Sequence, residues 1–165
     1  MFVLVMVGEW LGAVARESLT RVGCGLGSTY GDNNCVHDED VGVCCGGDTA
    51  APSSDDGSCP WTGDGSPEEP GNGDLHVADC QEDCCCRLEV FYDGSWGTIC
   101  DDSFNDDAGV IACRQMGLPS TDVRIQVGGS GYGATGTVPG TGQIWLDGVD
   151  CSSTDPTRLE DCPHT

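Results

Sequence analysis

Two adjacent carboxylates, Asp101 and Asp102, directly follow Cys100 and are the residues whose type and spacing most favour chemistry in this chain. Carboxylate oxygens are hard ligands, and Ca²⁺ takes about six to eight such oxygens. The chain as a whole has a formal net charge of −22, and all its basic residues are arginines. No basic patch is available to bind phosphates, which argues against nucleic-acid partners. Ca²⁺ is therefore the expected cofactor; the alternative is that the acid pair is a solvated loop before a helix.

The 13 cysteines in 165 residues indicate a framework of disulfides formed in an oxidising compartment. We therefore expect an extracellular protein, or the ectodomain of a membrane protein that meets the membrane only through other parts of a parent chain. The odd number leaves at least one thiol free or paired between chains. A soft-metal site at Cys80, Cys84 and the next two cysteines is the weaker alternative. The pairing of Cys24, Cys44, Cys59, Cys80, Cys84, Cys85 and Cys86 stays open.

A β-hairpin is predicted immediately before the acid pair. Apolar and other residues alternate over 88–92, which is typical of a half-buried strand. Asp93 and Gly94 form a two-residue turn signal, because both central residues of a type I′ turn need positive φ. The chain then returns through Trp96 towards Cys100, and Trp96 and Trp145 are expected in the core from their strand positions.

A helix is predicted immediately after the acid pair. Ser103 or Asn105 can cap its N-terminus, and the acids at 106–107 suit the positive end of the helix dipole. Gly117, followed by Pro119, ends it. The acid pair would therefore lie in the short connection between a strand and a helix.

Four ordered blocks of the sequence resemble the scavenger receptor cysteine-rich (SRCR) family. They are Arg87-Leu-Glu-Val90, Gly94-Ser-Trp-Gly-Thr-Ile-Cys100-Asp-Asp102, Ile111-Ala-Cys113-Arg-Gln-Met-Gly117, and Ile144-Trp-Leu-Asp-Gly-Val-Asp-Cys151 with Leu159-Glu-Asp-Cys162-Pro-His164. A further stretch, Asn34-Cys35-Val-His37-Asp-Glu39-Asp40-Val-Gly42-Val-Cys44-Cys45, resembles the C-terminal tail of such a domain. The resemblance implies a small, disulfide-rich α+β fold, an SRCR-like curved β-sheet cradling one α-helix.

The resemblance also divides the chain. Residues 1–16 are an apolar N-terminal segment, either a signal peptide or a fragment start; 17–46 are the C-terminal part of an SRCR domain; 47–73 are an acidic Gly/Pro-rich linker; 74–165 are an SRCR domain lacking its C-terminal tail. Two explanations stay open. One is a window from a tandem array, which we favour for a parent protein. The other is a self-complementing, circularly permuted single domain, which a flexible linker of this length allows.

Family pairing implies three disulfides and a set of metal ligands. The implied bonds are Cys35–Cys100, Cys45–Cys113 and Cys151–Cys162, and the first two require the tail to meet the later unit. In family members that bind metal, the acid pair and a tail glutamate hold Ca²⁺; the matching residues are Asp101, Asp102 and Glu39. Asp147 and Asn34 are weaker candidates for a second site.

The expected function is binding rather than catalysis. We find no nucleophile elbow and no paired acid and base in a catalytic frame. The G-x-G-x-x-G match at 131–136 follows no clear strand and is interpreted as loop. The resemblance implies an extracellular ligand-binding module of a scavenger-receptor or pattern-recognition type protein, with Ca²⁺-assisted recognition of protein or microbial surface ligands. The alternatives are a non-catalytic accessory SRCR domain of a secreted or membrane enzyme (a serine protease or amine oxidase), or a structural spacer.

Overall fold

We analysed a computed structural model of the chain. It describes residues 29–46, 64–81, 84–128, 137–153 and 155–165. The apolar segment 1–16, the loop at 131–136, Cys24 and Cys59 lie outside the described residues, as does most of the predicted linker.

The described strands form one six-stranded sheet with a single α-helix against it. The strands are β1 (Gly42–Cys44), β2 (Leu75–Ala78), β3 (Cys85–Tyr92), β4 (Ser95–Ile99), β5 (Arg124–Gln126) and β6 (Ile144–Leu146), and α1 is Asp106–Gln115. The sheet order is β5-β1-β3-β4-β6, and β2 pairs with β3 on the edge opposite β1. The pairs are antiparallel except β4 with β6, which run parallel. The predicted α+β class, a small disulfide-rich curved sheet with one helix, is confirmed.

The predicted hairpin is β3–β4. Asp93 and Gly94 both have positive φ, 46° and 81°, as a type I′ turn requires. Tyr92 lies opposite Ser95, so the turn has two central residues. Leu88 and Val90 are fully buried on the face that meets the helix. The turn therefore fixes the register of the two strands that lead to Cys100.

Asn105 rather than Ser103 caps α1. Its side-chain Oδ1 accepts the Ala108 N–H at 3.0 Å, while Ser103 takes a positive φ of 61° in the preceding turn. The helix buries one face, including Ile111 and Cys113, against the sheet. Gly117 follows with φ 72°, and the Leu118 N–H returns to the Cys113 carbonyl at 2.9 Å. The connection from β4 to α1, residues 100–105, is thus held at both ends.

The tail strand β1 completes the sheet. It fits between β3 and β5, with Val43 opposite Cys86 on one side and Ile125 on the other. Val41 and Val43 are buried in the same core as Leu88. The structure therefore places the tail of residues 29–46 inside the unit that follows it in sequence, as a self-complementing domain would.

A partly buried polar network covers the other face of the sheet. Glu89 receives two bonds from Arg87, of 2.9 and 2.6 Å, and lies 2.8 Å from Nε2 of His76. Arg87, which is 7% exposed, also pairs with Asp79 at 2.7 Å. His76 stacks on Trp96 with ring centroids 4.0 Å apart. Trp96 is therefore half-buried on this outer face and not in the core, because its strand position points it away from α1.

Replacing Glu89 with Gln should destabilise the fold in a pH-dependent way. The His76 hydrogen bond and the Arg87 guanidinium lower the pKa of Glu89. Because the folded-state pKa lies below the unfolded one, the stabilisation is present above the ordinary glutamate pKa of about 4.3 and is lost as pH falls through the folded value. We expect a loss of about 2 kcal/mol at pH 7 in urea unfolding, shrinking towards zero as the medium is acidified. The exposed Glu68→Gln change is the matched control, and equal pH dependence in the two variants would contradict the account.

Candidate metal and ligand site

The site is built where the tail crosses the end of β4. Val41 N–H donates to the Ile99 carbonyl at 2.9 Å, and Asp101 N–H donates to the Glu39 carbonyl at 2.8 Å. Asp40 and Cys100 form the antiparallel bridge between these two bonds. The backbone pairing places Glu39, from the tail, beside the acid pair that follows Cys100.

Disulfides fasten the tail on both sides of this crossing. Cys35 bonds Cys100, and Cys45 bonds Cys113 on α1. Cys151 bonds Cys162 within the C-terminal part. These are the three pairs that the SRCR resemblance implies, and the first two join the tail to the later unit.

Two further bonds lie outside that implied set. Cys44 bonds Cys85, its direct cross-strand neighbour in the β1–β3 pairing, and Cys80 bonds Cys86. Cys84 is disulfide-bonded as well. Every cysteine of the described residues is therefore oxidised, and the soft-metal alternative has no thiolate there to use. Spacing could not predict these pairs, because adjacent cysteines are equivalent until the strand register is known.

Three acidic residues lie at the crossing, one from the tail and two from the acid pair. Burial, then the charges of Asp102 and Glu39, raise the pKa of Asp101, and a smaller opposing effect comes from the Gly128 N–H. Glu39 also accepts the Val36 N–H through Oε2 at 2.9 Å, which orients its side chain. The bond from the Asp101 N–H to the Glu39 carbonyl places these two residues side by side, and the charges of Asp102 and Glu39 both act on Asp101. We call Glu39, Asp101 and Asp102 the acidic triad.

The backbone that follows β5 packs closely against the tail beside the acidic triad. Gly128 lies against the backbone of Asp38 and Glu39, where an added Cβ would overlap the Asp38 carbonyl oxygen. Only glycine permits this approach, so the residues after β5 support the tail directly. Gly128 could not be found from the sequence, since a glycine shortly after a strand carries no specific signal.

Asp147 extends the acidic region towards β6. Its carboxylate, the Asp102 carboxylate and the sulfurs of Cys35 and Cys100 all lie within 4.8 Å of one another. The two sulfurs form a disulfide and cannot act as thiolate ligands, which leaves the two carboxylates. Asp147 is 6% exposed, and its backbone carbonyl accepts the Thr165 N–H at 2.8 Å. Asn34, the other second-site candidate, is exposed one residue before Cys35.

Asp40 is a buried residue of the tail that sequence reasoning did not single out. It is 1% exposed, accepts the Gly140 N–H at 2.7 Å through Oδ2, and lies 3.0 Å from Nδ1 of His37. The other ring nitrogen of His37 lies 3.3 Å from the Gly142 carbonyl oxygen. This network ties the tail to residues 140–142. It therefore has a structural role.

The cations in this part of the chain are already engaged. Arg87, Arg114 and Arg158 each form ion pairs with carboxylates, at distances of 2.6 to 3.1 Å. They are three of the four arginines in the described residues. None of these three arginines forms its ion pair with Glu39, Asp101 or Asp102.

The fold and the site define a class: a small extracellular-type module, held by several disulfides, whose curved sheet cradles one helix. The family model described as the scavenger receptor cysteine-rich domain matches residues 78–165, just over half of the chain. The chain belongs to the SRCR family. No helix in the described ranges has the length and apolar character needed to cross a membrane.

Curated relatives show the same relationship. A "Scavenger receptor cysteine-rich domain superfamily protein" of Patiria pectinifera is 38% identical over 95 residues, covering 58% of this chain and 8% of that protein. "Lysyl oxidase homolog 2" of Mus musculus is 38% identical over 88 residues, covering 48% of this chain and 10% of that protein. "CD5 antigen-like" of Homo sapiens is 32% identical over 135 residues, covering 82% of this chain and 30% of that protein. The chain thus spans less than a third of the length of these relatives. No solved structure was found to match it.

Proposed function

We propose that this chain is an extracellular ligand-binding SRCR module that uses Ca²⁺ to recognise protein or microbial surface ligands. The observation that carries the proposal is the backbone pairing of the tail with the end of β4, in which the Asp101 N–H donates to the Glu39 carbonyl at 2.8 Å and sets Glu39 beside the acid pair. Family membership supports the extracellular location, as do the disulfides of the described residues.

The donor set of the triad fits a hard divalent cation. Three carboxylates would offer oxygen ligands, and Ca²⁺ takes about six to eight oxygens, so positions remain beyond those of the triad. When bound, Ca²⁺ supplies positive charge and coordination positions for oxygens of a ligand. Glu39, Asp101 and Asp102 hold it at the surface of the module, and Asp147 lies beside Asp102 as a further donor.

The net charge of the chain makes the binding of acidic ligands depend strongly on the cation. The chain carries −22 and would repel acidic ligands on its own. Three of the arginines are already ion-paired, as described above, which reduces the positive charge available for direct capture. A ligand with carboxylate, sulfate or phosphate groups therefore needs the bound cation as a bridge.

The test is binding of the purified, non-reduced chain to washed bacterial cells and to a panel of secreted proteins. We expect binding in millimolar Ca²⁺, release in chelator, and no binding when Asp101 and Asp102 are both replaced by Ala. Binding that is the same in Ca²⁺ and in chelator would sink the proposal, and absence of any binding would favour the structural-spacer alternative.

A second candidate is a non-catalytic accessory module within a larger enzyme. The observation favouring it is the similarity to a protein named lysyl oxidase homolog 2, of which this chain covers only 10%. The match to CD5 antigen-like favours the binding module over the enzyme accessory module. It spans 135 residues, more than the 88 positions from 78 to 165, and so includes sequence ahead of residue 78. It supports the proposal that a parent protein carries consecutive SRCR units. The full-length transcript distinguishes such a protein from an enzyme with an accessory SRCR module.

A further inference from the structure

The turn between β2 and β3 carries a disulfide that the fold needs less than the others. Cys80 and Cys86 are 6 residues apart, whereas the bonds that fasten the tail at Cys35 and Cys45 span 65 and 68 residues. In the chain-entropy account a loop this short contributes about 2 kcal/mol, against about 4 for the longer ones. The two strands are also joined without it, because β2 and β3 pair over four positions.

Other contacts hold this turn in place. Asp79 pairs with Arg87 at 2.7 Å across the base of the turn, the Gln81 N–H donates to the Cys85 carbonyl at 2.8 Å, and the Cys84 N–H donates to the Gln81 carbonyl at 2.9 Å. Opening Cys80–Cys86 would leave these contacts and the sheet ladder intact. The local fold therefore does not have to break for the sulfurs to react.

Cys80 is also the accessible cysteine of the described disulfides. It is exposed, Cys35 is half-buried, and the remaining cysteines of the five described bonds are buried. Thiol–disulfide exchange requires direct attack of a thiolate on one sulfur, so access selects the bond that reacts first. Exposed disulfides are accordingly the labile ones, while buried framework bonds resist reduction.

We propose that Cys80–Cys86 is a redox modification site, at which a small extracellular thiol attacks Cys80 while the rest of the disulfide framework stays closed. The attacking thiolate forms a bond to Cys80 Sγ, the Cys80–Cys86 bond breaks, and Cys86 leaves as a thiolate that takes a proton from solvent. The product is a mixed disulfide on Cys80. A second thiolate attacks the sulfur of the bound thiol, releases the external disulfide and leaves Cys80 reduced, which completes a two-electron reduction.

The charges around Cys80 select the class of thiol. Asp79 precedes it with 56% of its side chain exposed. Arg87, the nearby cation, is already paired with Asp79 and Glu89. An anionic thiol of the glutathione type is repelled by this environment, whereas a cationic aminothiol such as cysteamine is attracted to it, and salt screens both effects.

The experiment treats the full non-reduced chain with cysteamine or with glutathione at equal thiolate concentration. Samples are quenched over time with an alkylating reagent and mapped by peptide mass spectrometry. We expect Cys80 and Cys86 to be labelled about tenfold or more faster than the cysteines of Cys35–Cys100, Cys45–Cys113 and Cys151–Cys162. We also expect cysteamine to react faster than glutathione, with the difference shrinking in high salt.

Two variants keep the outcome interpretable. Cys80→Ser with Cys86→Ser should fold, with unchanged near-UV circular dichroism, and should lose the early labelling. Asp79→Asn should speed the reaction of glutathione relative to cysteamine. Early labelling of Cys35 or of the Cys151–Cys162 pair, or simultaneous labelling of all cysteines together with loss of the near-UV signal, would overturn the proposal.

Discussion

Replacing Asp101 and Asp102 together with Asn is expected to abolish measurable Ca²⁺ binding. The variant keeps the size of both side chains and removes two of the three charges of the acidic triad, leaving Glu39 alone against a cation that prefers several charged oxygens. In thermal unfolding, the wild-type chain should gain about 2.7 kcal/mol at a Ca²⁺ concentration a hundred times its Kd, and the variant should gain none.

The same variant makes an independent prediction without Ca²⁺. Burial and the neighbouring acids raise the pKa of Asp101, so its folded-state pKa lies above the unfolded one and its ionised form disfavours folding at neutral pH. Removing the charge relieves that repulsion, and the variant should be at least as stable as the wild type in chelator. A variant that is clearly less stable in chelator would mean that the acid pair serves the fold and not a cation.

Deleting residues 1–46 is expected to prevent folding of the remaining unit. The deletion removes β1 from between β3 and β5 and takes Val41 and Val43 out of the core. Two fully buried valines are worth roughly 3–6 kcal/mol, and each lost disulfide about 2–4 more, against a typical total stability of about 5–15 kcal/mol. Cys85, Cys100 and Cys113 would also lose their partners. We expect no near-UV circular dichroism signal from this chain and mixed disulfides on non-reducing gels.

A circular permutant provides the matched control for that deletion. Residues 29–46 would be fused by a short flexible linker after Thr165, which places the tail where the family has it. The geometry allows this, because Tyr30 near the start of the tail contacts His164 near the end of the chain, with ring centroids 5.7 Å apart. The permutant should recover the fold and the bonds of Cys35 and Cys45. A truncated chain that folds alone would contradict the placement of the tail in the core.

Much of the fold could be predicted because local signals and the family resemblance agree. Asp93 and Gly94 specify the hairpin turn through their shared need for positive φ, and the helix follows from its apolar spacing and end signals. The sequence could not show whether Asn105 or Ser103 caps the helix, since both residue types are good N-caps. The cap is decided by the residue at which the backbone enters the helix, which is Asn105.

The parts of the site that escaped prediction depend on register and packing. Cys44 pairs with Cys85 only because β1 and β3 place these two residues opposite each other, and a shift of one residue would have selected another neighbour. The proximity of Asp147 to Asp102 requires the parallel pairing of β6 with β4, which no local pattern encodes. The prediction that Trp96 lies in the core is wrong, because it lies on the outer face against His76. A strand position alone does not tell which face of the sheet a side chain occupies.

The most direct test of the account is a calorimetric Ca²⁺ titration of the wild-type chain and the Glu39→Gln variant. Glu39 belongs to the tail, so it can influence a cation at Asp101 and Asp102 only if the tail closes onto the later unit and the acidic triad forms the site. The account predicts that Glu39→Gln raises the Kd for Ca²⁺ by at least about tenfold, because one of three charged ligands is lost, while the exposed Glu68→Gln control binds as the wild type does. Equal Kd values for all three chains, or no binding by the wild type, would contradict it.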